Sequence, residues 1–454
     1  MKKKNKLKKI DQDVLFGSSR LLKLDSKNDD RTSYMLNNMS SNAVFRNFLK
    51  NNKVHDKHLL EKLTQRFHDY RKDWKDQPLY IMKNSIFGND LLKNNIIPLC
   101  IDIEIAAICD LACGFCYRES IATPDKIIKS KLFYKIIDQA ANLGVPSIKL
   151  NWRGEPLLHP KICDFIEYAK NKGILEVIIN TNATQLTKKM STKLINAGLD
   201  YMIYSFDGGT KETYEKMRPG RFKANKFEDV YNNIKNFSEI RKNLKAKFPR
   251  TKIQMIMTED TFDEQEKFFN LFNEYVDEVT VTQYSERGGN FNDLTNTEKK
   301  TYKRLLKQFN LENGTPYLKD SDGKIKVSLS RKACEQPYQR LMITYDGRVS
   351  MCCFDWGAMH SIGYVDDMSF KNLDADKISV LDKVKNNKKG FELMKFIKMP
   401  KSYNLPEKKI STISEIWTGN ELKKIHKLHS CGKINNVKIC KGCTFKDTYN
   451  WKGE

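Results

Sequence analysis

Ile101-Asp102-Ile103-Glu104-Ile105-Ala106-Ala107-Ile108 runs directly into Cys109-Asp110-Leu111-Ala112-Cys113-Gly114-Phe115-Cys116, and the reading of this stretch decides the fold. A short β-rich run ends where three cysteines begin. Such a run suits a buried parallel strand, which puts the CxxxCxxC thiols on the loop that leaves it. Iron–sulfur clusters are held by cysteine thiolates, and a four-iron cluster with only three protein ligands keeps one iron open to a small molecule. Positions i, i+4 and i+7 also make a helical stripe, on which cysteines act as small apolar residues. Gly114 works against a helix, and a helical stripe does not explain why three of eleven cysteines crowd into so short a stretch.

Outward from this loop, residues 99 to 286 alternate apolar strand-like runs with amphipathic helical ones, the pattern of βα units around a parallel sheet. Six units are present, with strands near 99–108, 146–152, 175–181, 200–206, 251–258 and 278–284. Helical patterns fall near 130–142, 160–172, 187–196, 227–244 and 263–275, and Gly144, Gly173 and Gly198 follow three of them as helix stops. This predicts an α/β fold built on a partial, TIM-like (β/α)6 barrel, whose functional groups gather at the carboxyl ends of the strands. Cys109 follows strand one, Gly154-Glu155-Pro156 follows strand two, Thr181-Asn182 ends strand three, and Ser205-Phe206-Asp207-Gly208 ends strand four. Four motifs therefore converge on one rim.

The cysteine triplet, with aromatic Phe115 just before the third cysteine, resembles the signature of the radical S-adenosylmethionine (radical SAM) superfamily. The resemblance implies a [4Fe-4S] cluster on Cys109, Cys113 and Cys116 whose open iron is chelated by the amino and carboxylate groups of S-adenosylmethionine. It further implies that the cluster, reduced by a partner such as flavodoxin or ferredoxin, cleaves the sulfonium to a 5′-deoxyadenosyl radical that abstracts hydrogen from a substrate. The segment from Asn151 to Pro156 is similar to the family's glycine-glutamate-proline motif, whose backbone binds the amino group, and places Gly154, Glu155 and Phe115 among the cofactor-binding residues. This chain has Arg153 where the family often has a first Gly. By the same resemblance Thr181 and Asn182 lie near the ribose, although both are also common turn residues. Ser205 and Arg218 match positions that hold the carboxylate, a group whose geometry an Arg fork suits. Asp207 resembles an "SxDG" element and serves equally well as a structural residue before Thr210. Asp260, Tyr284 and Glu286 are substrate-pocket candidates, and no residue is singled out as a catalytic base.

Farther along come Cys334, then Tyr345-Asp346-Gly347-Arg348 between strand-like runs, then Cys352-Cys353, and finally Cys440-Lys441-Gly442-Cys443. Asp-Gly flanked by such runs is a hairpin signal. The order resembles the SPASM/Twitch extension of radical SAM enzymes, a small α+β domain in which four cysteines hold an auxiliary [4Fe-4S] cluster. The implied ligands are Cys334, Cys352, Cys440 and Cys443, with Cys352 fitting the spacing from Gly347 better than Cys353. No cysteine follows Cys443, which limits the expectation to one auxiliary cluster. Four thiolates with a CxxC pair suit zinc equally well on spacing alone, and it is the first triplet that favours iron. Cys100, Cys163 and Cys431 are expected to pack as ordinary thiols.

The whole chain, 454 residues long, exceeds the size at which one core usually stops growing. The expected organisation is a basic tail and helical extension over 1–97, a radical SAM core over 98–286, a bridge over 287–331, and a SPASM/Twitch-like domain over 332–454. Within the extension a helical stretch from 42 to 74, closed by Pro78, reads as a packing element more readily than as a barrel cap or substrate contact. The Lys-rich stretch 366–410 reads as an insertion. The most apolar segment, 97–117, is interrupted by Asp102, Glu104 and Asp110, so no membrane span is expected. With no apolar core behind the Lys-rich first ten residues, no secretion signal is read, and a cytoplasmic protein is expected. Eleven cysteines in clustered spacings agree with a reducing compartment.

A net charge of +24 raises the possibility of a nucleic-acid partner. The positive residues are mostly dispersed Lys without the aromatic interleaving of a strand-binding groove, so nucleic acid is not the expected partner. The leading expectation is a radical SAM enzyme of oxidoreductase type acting on a peptide or a carbohydrate or other small molecule. The rival is a zinc-stabilised, basic nucleic-acid-binding protein without radical chemistry.

Overall fold

The computed structural model describes residues 31–51, 56–116, 125–258, 260–283, 317–319, 325–327, 334–355, 358, 360–370 and 406–441. Three helices come first: α1 (Arg31–Asn37), α2 (Ala43–Asn51) and α3 (Asp56–Asn84). The core then alternates β1 (Cys100–Ile103), α4 (Ser130–Leu143), β2 (Ser147–Lys149), α5 (Ile162–Asn171), β3 (Glu176–Thr181), α6 (Lys188–Ala197) and β4 (Tyr201–Ser205). It continues through α7 (Lys211–Met217), α8 (Phe227–Asn243), β5 (Arg250–Met257), α9 (Gln265–Phe272) and β6 (Glu278–Gln283). A small hairpin, β7 (Tyr317–Lys319) with β8 (Ile325–Val327), lies in the bridging stretch. Beyond it come α10 (Gln336–Gln339), β9 (Arg340–Ile343), β10 (Arg348–Ser350), β11 (Gly363–Tyr364), α11 (Ile413–Trp417), α12 (Asn420–Ser430) and α13 (Lys438–Lys441).

Strands β1 to β6 pair in sequence order, every pair parallel, which is the partial (β/α)6 barrel. The alternation of side chains explains its two faces. Ile101, Ile103, Ile148, Val177, Ile179, Met202, Ile253 and Val279 share one core with the helices, as does Phe133 of α4, stacked 3.9 Å from Phe165 of α5. Their neighbours along the strands, polar residues such as Asp102, Lys149, Asn180, Ser205 and Lys252, line the concave face. Gly144 and Gly198 stop α4 and α6 as the sequence indicates.

The sheet is larger than the sequence suggests. β9 adds in parallel beside β1, and β10 and β11 follow antiparallel, giving nine strands in the order β11-β10-β9-β1-β2-β3-β4-β5-β6. The hairpin around Asp346-Gly347 is thus part of the main sheet: Leu341 and Ile343 enter the same core as Ile101. Local spacing identified the hairpin, but a parallel partner some 240 residues away leaves no local signal.

The N-terminal helices close the barrel at the amino ends of the strands, opposite the rim. Leu99, Leu175 and Phe248, which precede β1, β3 and β5, pack with Met35, Phe45, Phe67 and Tyr70. Arg31 donates to Glu176, the first residue of β3, at 2.7 Å, and Tyr70 OH reaches the same carboxylate at 3.2 Å. Pro78 does not end the helix. It sits inside α3, where a proline leaves the carbonyl four residues earlier without its usual donor. That carbonyl, Trp74 O, accepts from Gln339 Nε2 at 2.5 Å.

Candidate active site

At the carboxyl end of β1 the chain enters the cysteine loop, which is tied down on two sides. Leu111 bridges Gly220, Ala112 N–H donates to Pro219 O at 2.8 Å, and Arg221 N–H donates to Asp110 O at 2.8 Å, so the loop runs against the segment that carries Arg218. On the other side the Asp110 carboxylate accepts from Asn182 Nδ2 at 2.8 Å, Thr184 Oγ1 at 2.5 Å and Gln185 Nε2 at 2.9 Å. Asn182 Nδ2 also lies 3.9 Å from Cys109 Sγ. Burial, and then the sulfur of Cys113 beside it, push the Cys109 thiol well above its ordinary value. Cys116 N–H turns back to Cys113 O at 2.9 Å.

The loop after β2 packs directly on this structure. Glu155 N–H donates to Ile108 O at 2.8 Å, and Gly154 has φ +68°. A Cβ at Gly154 would lie 2.4 Å from both Ala106 O and Ile108 O, so only glycine lets the loop approach so closely. The Glu155 carboxylate accepts from Leu157 N–H at 3.0 Å, Thr181 Oγ1 at 2.7 Å and Asn182 N–H at 2.7 Å. Burial raises it to about 7 despite those three donors.

Ser205 ends β4, half-buried on the concave face. Arg218 is buried; its Nη2 lies 2.5 Å from Asp207 Oδ2, its guanidinium stands 5.7 Å from the centre of the Phe115 ring, and its Nε has no hydrogen-bond partner among the described residues. The structure thus places Arg218 against Asp207, whose other oxygen accepts from Ile256 N–H at 2.6 Å. Asp260 pairs with Lys216 of α7 at 2.6 Å, and both side chains reach solvent. Tyr284 and Glu286 lie outside the described residues.

A family model described as the Radical SAM superfamily matches residues 103–272, and one described as an iron-sulfur cluster-binding domain, SPASM, matches residues 334–395. The chain belongs to the radical SAM superfamily. Among curated relatives, a probable GTP 3′,8-cyclase of Methanothermobacter marburgensis is 34% identical over 112 residues, 25% of this chain and 36% of that protein. An AdoMet-dependent heme synthase of Methanosarcina barkeri is 34% identical over 128 residues, 28% of this chain and 36% of that protein. The chain thus spans only about a third of the length of these relatives. Among solved structures, anSMEcpe with bound AdoMet matches at 17% identity and TM-score 0.47, covering 78% of this chain and 91% of that one. Streptococcus suis SuiB matches at 16% identity and TM-score 0.44, covering 78% and 83%. A radical SAM core with a SPASM domain carries a [4Fe-4S] cluster, an auxiliary cluster and S-adenosylmethionine as cofactors. Neither comparison supports the zinc-stabilised nucleic-acid-binding alternative.

The thiols of this radical SAM chain fit those groups by their chemistry. Hydrogen bonds to sulfur are among the features that tune iron–sulfur clusters, and Cys352 Sγ accepts from Phe354 N–H at 3.3 Å. Cys440 Sγ lies 3.5 Å from His429 Nε2, and His429, buried, is pushed down to about 4 by that burial and is therefore neutral at pH 7. Cys334 is buried, and Cys443 lies outside the described residues. Cys352 and Cys440 pack against the main core, whereas Cys353 joins Cys116, Phe115, Trp152 and Met342 in a separate apolar cluster. The neighbours Cys352 and Cys353 thus belong to different surroundings. Of the cysteines expected to be ordinary thiols, Cys100 is buried at the barrel floor, Cys163 lies near Met190, and Cys431 is exposed.

Sequence reading missed the residues that knit these loops. Arg153 makes a fork on Glu104, at 2.5 and 2.8 Å, and Glu104 also accepts from Tyr345 N–H of the β9–β10 turn at 3.3 Å. Trp152 Nε1 donates to Cys353 O at 2.8 Å. Asp110, Glu104 and His429 carry no motif signal. Arg153 did carry one, as a charged residue at a position the family often gives to glycine. Among the described residues no helix is long and apolar enough to cross a membrane.

Proposed function

We propose that the rim binds S-adenosylmethionine and that this chain uses it to abstract hydrogen from a peptide or from a carbohydrate or other small molecule. The observation that carries the reading is Asn182, whose side chain holds Asp110 of the cysteine loop while its backbone N–H holds Glu155 of the Gly154 loop. Three loops from the ends of β1, β2 and β3 are thereby fixed in one arrangement. Cys109, Cys113 and Cys116 would hold the cluster, which when bound and reduced supplies the electron that converts S-adenosylmethionine to a 5′-deoxyadenosyl radical.

The chain's own residues do the rest. The Gly154 backbone, unscreened by a side chain, would bind the cofactor's amino group, and Thr181 and Asn182 would serve the ribose. Arg218, held by Asp207 and near the Phe115 ring, would offer its Nε, which has no hydrogen-bond partner among the described residues, to the carboxylate, and Ser205 would serve the same group. Phe115, Trp152, Met342 and Ile256 form an apolar wall that excludes water from the reacting atoms.

Cys334, Cys352, Cys440 and Cys443 would hold the auxiliary cluster. The Trp152–Cys353 hydrogen bond links its loop to the cofactor loop, and in an oxidoreductase-type outcome the auxiliary cluster would accept the electron left on the substrate. A flavodoxin or ferredoxin would reduce the first cluster, in the reducing cytoplasmic setting that the free thiols suit. The test is anaerobic: 5′-deoxyadenosine formation is measured with a peptide panel and with a carbohydrate panel. One class is expected to raise the rate above the substrate-free rate; no stimulation by either contradicts the substrate reading.

A further inference from the structure

Helix α12 is clamped onto the segment that follows Cys334. His426 stacks on Tyr338 with ring centres 4.5 Å apart, its Nε2 bonds Pro337 O at 2.8 Å, and Tyr338 OH donates to His426 O at 3.0 Å. His429, about one turn farther along α12, is fully buried, with its ring edge-on to Tyr338 at 6.2 Å. This packing gives the His429 ring a fixed direction. Its polar neighbours come from the two ends of the C-terminal part: the Cys334 carbonyl, which the ring bonds, and Cys440 Sγ, 3.5 Å from Nε2. Two of the four cysteines assigned to the auxiliary cluster therefore meet at one imidazole.

The place of the ring proton follows from burial. His429 Nδ1 is buried and has no hydrogen-bond partner among the described residues. A proton there would be a buried, unpaired N–H, which is costly, so the neutral ring carries its proton on Nε2, the nitrogen beside Cys440 Sγ. The Cys334 carbonyl is a neutral acceptor, whereas a cluster-bound Cys440 is a thiolate. A charged acceptor draws the stronger bond.

We propose that His429 donates its Nε2–H to the Cys440 thiolate of the auxiliary cluster and thereby makes that cluster easier to reduce. A donor at a coordinating sulfur stabilises the reduced state, which carries one more electron, over the oxidised state. His429 is thus a positioning residue that sets a potential and does not touch substrate. The proposal deepens the function proposed above and rests on Cys440 being a ligand of the auxiliary cluster.

The test uses the full-length Cys113→Ala chain, in which the auxiliary cluster remains, so that a redox titration followed by electron paramagnetic resonance reads one couple. His429→Phe keeps a ring and removes the donor; His429→Gln keeps an N–H donor. With about four irons per chain in all three proteins, His429→Phe should shift the midpoint to more negative potential by about 59 mV, a tenfold change in the oxidised-to-reduced ratio of a one-electron couple. His429→Gln should recover most of that shift. The proposal is overturned if the midpoint in His429→Phe is that of the parent, if both variants shift it equally, or if either variant loses its iron, which would make His429 a support for the ligands alone. A Cys113→Ala chain that holds no iron, or one that keeps its four irons when Cys440→Ala is added, refutes instead the ligand assignment underneath.

Discussion

Two glycines of the cofactor motifs should behave oppositely when replaced by alanine, and a third separates the causes. At Gly114 the backbone is ordinary and an added Cβ meets nothing within 4 Å, so Gly114→Ala should change stability by less than about 0.5 kcal/mol. Gly173 has φ +89° but open space around the Cβ position, so Gly173→Ala isolates the left-handed backbone penalty of about 1–2 kcal/mol. Gly154 combines φ +68° with a Cβ 2.4 Å from two backbone oxygens, which adds an overpacking penalty of about 1–3 kcal/mol and makes about 2–5 kcal/mol in all. Ala106 O and Ile108 O belong to the lead-in of the cysteine loop, so relaxation at Gly154 must move one cofactor loop away from the other. Thermal unfolding of the three cluster-loaded variants, at roughly 2–4 °C per kcal/mol for a domain of this size, should give that order, and S-adenosylmethionine affinity should fall only for Gly154→Ala. If Gly154→Ala melts with Gly173→Ala and binds the cofactor as the parent does, the close approach of the two loops is not what requires the glycine.

Cys352→Ser should lower bound iron by about four atoms per chain while Cys353→Ser retains it; the reverse result in iron analysis would exchange their roles. Arg31→Met leaves the Glu176 carboxylate, fully buried, without its cation, and should cost about 3–5 kcal/mol in denaturant unfolding; a loss below about 1 kcal/mol would show the barrel floor to be loosely held. His426, stacked on Tyr338 and bonded to Pro337 O, is drawn from 6.5 to about 4 by burial. The unfolded chain therefore takes up this proton near its ordinary value and the folded chain does not, so stability falls as pH drops from 6.5 to 4, by up to about 1.4 kcal/mol per pH unit. His426→Gln should flatten that slope, and parallel pH curves for the two proteins would contradict the assignment.

The strand-end motifs were legible because short apolar runs alternating with amphipathic helical ones located β1 to β6, and chain order fixed which loops would meet. The Asp346-Gly347 turn was legible for the same local reason. What was not legible depends on distant partners. Nothing near Arg340 indicates that its strand joins β1, and Pro78 reads as a helix stop until Gln339 is seen to satisfy the Trp74 carbonyl. The network of Asp110, Glu104 and Arg153 is likewise built from residue types that usually face solvent, and only tertiary structure distinguishes them. The pairing of Arg218 with Asp207, just beyond β4, was likewise not legible, because a buried guanidinium takes a carboxylate that only tertiary structure brings near.

The central claim is that Cys109, Cys113 and Cys116 hold a cluster that cleaves S-adenosylmethionine, and the most direct measurement pairs iron analysis with 5′-deoxyadenosine detection on anaerobically purified, reduced protein. The account predicts about eight irons per chain and formation of 5′-deoxyadenosine, falling to about four irons and no cleavage in Cys113→Ala. Zinc in place of iron, or cleavage that persists in Cys113→Ala, would contradict it.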